Sequence, residues 1–113
     1  MPHDPEKYLE DILSSCDFLL EFTANRTVVD YGKDRPFRSA VERELQIVGE
    51  ALMQLEKVSP VIASQITAHR QIISFRHVLV HGYHSLNHDT VWSVLRDHLP
   101  KLRDDVWKLL SKR

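Results

Sequence analysis

Glycine and proline are scarce in this chain, with three glycines and five prolines in 113 residues, and most of them fall where a helical chain needs to stop and restart. A protein with so little punctuation has few turns to spend, so it is built from few, long helices. Asp4-Pro5-Glu6 is a good helix start, with Asp4 as N-cap, Pro5 at the first position and Glu6 favourable to the dipole. Leu9, Ile12, Leu13, Cys16, Leu19, Leu20 and Thr23 then recur every three or four residues, which predicts a first helix to about residue 24.

Residues 25–36 change character and read as a polar loop, although Arg26, Lys33, Arg35 and the adjoining Arg38 offer cations for phosphate. A second helix is predicted over residues 37–57. Its Val41, Leu45, Val48, Leu52 and Leu55 step by four and three, the seam of a helix in a bundle with shallow crossings. Gly49 lies beside Leu45 and Leu52 and costs about 1 kcal/mol of helix propensity relative to alanine, so a close helix crossing is expected there. Ser59-Pro60 opens a short helix with Ile62 and Ile66 on one ridge. A bend at residues 67–70 precedes a central helix over 71–82. Asn87 or Asp89 then caps a last helix carrying Val91, Leu95, Leu99, Leu102, Val106 and Leu109, which Pro100 kinks or splits near Leu99. Trp92 and Trp107 fall off that stripe, to cover the ends of the bundle or face a partner chain. Nothing reads as a strand. The expected architecture is a single all-α domain over residues 1–113, an up-and-down bundle of four principal helices and one short extra helix.

The central helix carries the chemistry. Phe75-Arg76-His77-Val78-Leu79-Val80-His81-Gly82-Tyr83 places an arginine and three possible proton carriers in an otherwise apolar run. A guanidinium keeps its proton, so Arg76 needs an open cleft or a carboxylate such as Glu50 or Glu42. Arg76 and Tyr83 are seven residues apart and share a helical face, whereas His81 lies about 140° away on an ideal helix. A tightened or unwound last turn at Gly82 would swing His81 toward Arg76.

The spacing Arg76-x4-His81-x-Tyr83 resembles the signature of the HEPN superfamily, and more narrowly of HepT-type toxins. Further matches lie in Arg38-x-Ala40-Val41-Glu42-Arg43, Gln46-Ile47-Val48-Gly49-Glu50-Ala51, Leu79-Val80-His81-Gly82-Tyr83, Thr90-Val91-Trp92 and Leu99-Pro100. Ser74-Phe75 stands where the family usually has glycine and an apolar residue, and His77 where it usually has asparagine. The resemblance implies a metal-independent endoribonuclease that needs no cofactor and cuts single-stranded RNA in a cleft shared by a homodimer. Arg76 and His81 would be its catalytic residues, with His77 and Glu50 in support. It implies further that a nucleotidyltransferase antitoxin of the MntA type silences the toxin by adding AMP to Tyr83.

Two other readings are kept. A HEPN module that binds a nucleotide or a partner without cleaving RNA would share the motif. A metal site is the second, since His77, His81, His84 and His88 fall at i, i+4, i+7 and i+11, although Gly82 argues against a continuous helix. A formal charge of −1 gives no overall attraction to nucleic acid, so any RNA binding comes from a local patch. The single Cys16 excludes an internal disulfide. With no apolar run of about 18 residues and no signal-peptide pattern after Met1, the expectation is a cytoplasmic protein without membrane contact.

Overall fold

The computed structural model describes residues 4–82 and 86–112. Asp4 accepts the backbone N–H of Lys7 at 3.2 Å and starts α1, Pro5–Phe22, which buries Leu9, Ile12, Cys16 and Leu19 on one face. The stretch expected as a loop instead contains a short helix, α2, Val28–Lys33. Thr27 and Asp30 close a reciprocal capping box, with Thr27 Oγ1 accepting from Asp30 N and the Asp30 carboxylate accepting from Thr27 N at 2.9 Å. Valine, aspartate, tyrosine and glycine are weak helix formers, so propensity alone does not favour this turn. Tertiary anchoring holds it. Tyr31 is fully buried, donates its hydroxyl to Glu42 and packs its ring against Phe37, Trp92 and His88.

Asp34 caps α3, Arg35–Val58, through the backbone N–H of Phe37 at 3.1 Å. The whole expected seam, from Val41 to Leu55, is buried. Ser59 caps α4, Pro60–Ser64, and the chain then bends through Ala68, which adopts a left-handed conformation with φ 59°. Asp105 secures that bend from across the molecule by accepting the Thr67 backbone N–H at 3.0 Å. The central helix, α5, runs His69–His81, close to the expected span. Asn87 caps α6, His88–Ser93, by accepting from Asp89 and Thr90. A π turn over Val94–His98 joins it to α7, Leu99–Ser111.

The π turn is how the chain accommodates Pro100. Proline has no N–H and its ring crowds the carbonyl four residues back, and a widened turn relieves both. Arg96 projects from this turn and donates to the carbonyls of Thr23 at 2.6 Å and Arg26 at 2.9 Å, satisfying backbone groups beyond the C-terminal end of α1. The expected stripe on α7 holds, except that Leu110 is buried where Leu109 was expected and Leu109 is only partly covered.

Helix α3 lies at the centre, with α1 on one side and α5 on the other. Helix α1 also packs on α7, and α2 on α6. The principal elements are therefore α1, α3, α5 and the continuous rod of α6, π turn and α7. Among the described residues there are two short extra helices, α2 and α4, rather than one. Helix α5 packs chiefly on α3, and among its apolar residues only Leu79 is buried, while Val78 is 43% exposed. An apolar groove of about 370 Å³ separates its Ile72 and Phe75 from Val94 and Leu99. Among the described residues no helix is long and apolar enough to cross a membrane.

Candidate functional site

Arg76 is set by the crossing of α5 over α3. Gly49 is buried at that crossing, and a Cβ there would run into Arg76 Cβ and lie 2.6 Å from its Cγ. The close approach expected from a glycine inside the seam thus has a definite partner, the catalytic candidate itself. From this anchor the Arg76 side chain reaches back along α3 to Glu50, with Nη2 2.7 Å from Oε2. The approach is a charge contact without hydrogen-bond alignment, and Arg76 Nε is buried with no acceptor among the described residues. A buried guanidinium N–H without an acceptor carries a desolvation cost that an incoming anion would remove.

Beyond the guanidinium lies an open groove of about 440 Å³ between α1, α3 and α5. Arg43, Gln46, Glu50 and Gln54 line it from α3, Asp11 from α1, and Arg76 from α5. The structure therefore brings Arg76 and Glu50 together, and it is Glu50 rather than Glu42 that pairs with the arginine. Glu42 is engaged by Tyr31 instead.

His81 does not join them. Helix α5 stays regular through His81, with Gly82 N–H donating to Val78 O at 2.8 Å, so the unwound last turn that would bring His81 to Arg76 does not form. Both His77 and His81 are exposed, and their rings meet at a tilt of 52°, 4.7 Å between centroids, as i, i+4 neighbours off the groove. Tyr83 and His84 lie outside the described residues. His88 opens α6 and sits edge-on to Tyr31, which separates it from the His77 and His81 pair and breaks the four-histidine stripe. Among the described residues no group of three or more histidine, cysteine or carboxylate side chains is arranged to hold a metal.

Of the basic residues considered for phosphate, two are used structurally. Arg26 pairs with Asp34 at 3.3 Å and lies over the Phe37 ring, and Arg38 donates to the carbonyls of Tyr31 and Gly32. Lys33 and Arg35 are exposed. The cation that sequence reasoning passed over is Arg43. Its signal was available, because residues 43, 46, 50 and 54 repeat at helical spacing and form a polar stripe beside the apolar seam.

Residues 12–109 match the family described as Ribonuclease HepT-like. Among curated proteins, one of Caldanaerobacter subterraneus subsp. tengcongensis named "Putative RNase" is 32% identical over 108 residues, covering 96% of both chains. "Probable ribonuclease HepT" of Thermococcus cleftensis is 28% identical over 109 residues, covering 96% of this chain and 98% of that one. "Gamma-glutamylcyclotransferase and putative RNase" of Methanocaldococcus jannaschii is 26% identical over 115 residues, which are 99% of this chain but 50% of that relative, so this chain spans half its length. No solved structure matches.

Proposed function

The chain belongs to the ribonuclease HepT-like family, and from that premise we propose that it is a toxin that cuts single-stranded RNA by attack of a ribose 2'-hydroxyl on the adjoining phosphate. The observation that carries the reading is the Arg76 guanidinium, held at a groove with one buried N–H still in need of an acceptor. Arg76 takes the phosphate and stabilises its crowded transition state. Glu50 holds the arginine toward the groove. His81 serves as base or acid, and His77 stands beside it as the alternative. These groups meet the needs of the reaction without a metal step.

One chain does not bring these roles together, since His81 and Arg76 leave different faces of a straight helix. A homodimer supplies the missing juxtaposition. The incompletely buried α5, with its exposed Val78, provides a surface across which two copies would line one cleft with two arginines and two sets of histidines. In this reading a nucleotidyltransferase of the MntA type silences the toxin by transferring AMP from ATP to the Tyr83 hydroxyl, with loss of pyrophosphate. The added purine and phosphodiester would fill the cleft and compete for Arg76. The proposed place of action is the cytoplasm.

The test is cleavage of single-stranded RNA in EDTA, with analysis of the ends. The expected products carry a 2',3'-cyclic phosphate. Arg76→Ala and His81→Ala should each slow cleavage by at least about 10²-fold, and Arg76→Lys should recover little, because a point charge lacks the planar fork. Light scattering should report about twice 13.2 kDa. With a nucleotidyltransferase, ATP and magnesium, the peptide containing Tyr83 should gain AMP, and Tyr83→Phe should not. Undiminished cleavage by folded Arg76→Ala or His81→Ala would sink the assignment.

A further inference from the structure

The chemistry proposed above uses Arg76, Glu50 and the histidines but leaves the rest of the α3 stripe idle. The two carboxylates in that groove are already engaged, Asp11 by Lys7 at 2.8 Å and Glu50 by Arg76 at 2.7 Å. Arg43 is different. It is exposed, it lines the same groove, and its guanidinium meets no acceptor among the described residues. The side-chain amides of Gln46 and Gln54 are likewise without partners among the described residues. Ile47, Ala51 and Val80 give the groove an apolar floor.

The spacing says what kind of molecule this suits. Arg43 precedes Glu50 by seven residues, two helical turns or about 10 Å along α3, and Glu50 marks the end of the Arg76 side chain. Two cations so separated match successive positions along a phosphodiester chain better than a single phosphate group. Between them lies the Gln46 amide, which can both donate and accept, beside the apolar side chain of Ile47, against which a base can pack. A groove of about 440 Å³ is of the size that small ligands occupy.

We propose that this groove is a subsite for the nucleotide flanking the scissile bond of an RNA strand, with Arg43 binding its phosphate and Gln46 reading the edge of its base. The inference rests on the ribonuclease reading. Arg43 is then a positioning residue, remote from the reacting atoms, and its loss weakens strand binding without slowing the chemical step.

The experiment has two arms. In the first, steady-state cleavage of a short single-stranded RNA is compared for wild type and Arg43→Ala. KM should rise roughly tenfold or more, as for loss of one charge-assisted contact, with kcat held within about twofold. In the second, binding of the same strand made uncleavable by 2'-O-methyl groups is measured against salt. Arg43→Ala should reduce the slope of log affinity against log salt by about 0.7, the value for one phosphate contact on a single strand. Gln46→Ala should leave that slope alone and flatten the preference among strands that differ at one base. If wild type cleaves RNA and Arg43→Ala leaves both KM and the salt slope unchanged, the subsite is wrong and the ribonuclease reading survives. If Arg43→Ala instead loses kcat as Arg76→Ala does, the positioning role is overturned. If wild type cuts nothing but its binding of the methylated strand still loses slope with Arg43, the subsite stands and the ribonuclease reading fails.

Discussion

Gly49 and Arg76 meet with no space for a methyl group between them: a Cβ at position 49 would lie 2.6 Å from Arg76 Cγ and 3.4 Å from its Cα. The neighbour is the root of the side chain and its backbone, so it has no free end to swing aside. The whole of α5 must move to make room. Gly49→Ala is therefore expected to trade better helix propensity for displacement of Arg76. Overpacking of this kind typically costs about 1–3 kcal/mol, against about 1 kcal/mol gained from alanine. A urea titration should show net loss of stability or near balance, and RNA cleavage should fall in either case. Full activity in Gly49→Ala would mean that α5 yields without disturbing its arginine.

Asp105 is expected to matter for stability at acid pH. Burial pushes its carboxyl up, but the hydrogen bonds from Lys101 and from Thr67 together outweigh that and hold it below its ordinary value of 3.8. A lowered carboxylate pKa stabilises the fold above the unfolded value, and the contribution is lost as pH falls through the folded one. Asp105→Ala also leaves the Thr67 N–H without its acceptor, costing about 1–3 kcal/mol near neutral pH. Denaturant midpoints between pH 7 and pH 3 should show the variant less stable at pH 7 and the gap narrowing toward acid. A constant gap would contradict the linkage.

Tyr31 governs the alkaline side. Its hydroxyl is pushed well above the ordinary value of 10, first by burial and then by its hydrogen bond to Glu42. The protonated form is favoured in the folded state, so this contribution is complete below pH 10 and is lost as pH rises beyond it. Tyr31→Phe removes a bond to a charged acceptor, expected to cost about 1.5–3 kcal/mol at neutral pH. Between pH 8 and pH 11 the variant should lose stability less steeply than wild type. Parallel curves would show that Tyr31 ionises freely.

The thiol of Cys16 is expected to be inert. It is completely buried in the face that α1 turns to the core, and burial, with a smaller push from Asp17, raises it to about 12. An aromatic disulfide reagent at pH 8 should leave the folded protein unmodified and label one thiol once denaturant is added. Rapid labelling without denaturant would mean that α1 opens readily from the bundle.

Much of this architecture can be read from residue order because its rules are local. Apolar spacing marks α1, α3 and α7, and the pairs Asp4-Pro5 and Ser59-Pro60 mark the starts of α1 and α4. Helix α2 escapes such reading because its stability comes from Tyr31, whose partners Glu42, Phe37 and Trp92 are distant in sequence. In the site, the Gly49 crossing and the choice of Glu50 over Glu42 follow the same division. A glycine in a seam announces a close contact, but which carboxylate meets Arg76 depends on how far α5 slides along α3. The place of His81 turned on one helical turn at Gly82, where spacing allowed either a regular or an unwound end and the regular one is found.

The turn at 94–98 sets an angle as well as easing a proline. Val91, Leu95 and Leu99 step by four, and each such step overshoots a full α-helical turn by about 40°. All three are nevertheless buried, because the wide turn absorbs the excess. The rod thus works as a shaft with a phase coupler in the middle, one end indexed to α2 through Trp92 and Tyr31, the other to α1 through α7. What those five positions must preserve is their number. A π turn holds one residue more than the α turn it replaces, so deleting a single residue there would close the rod to a regular α-helix and drive the Pro100 ring back onto the carbonyl four residues before it.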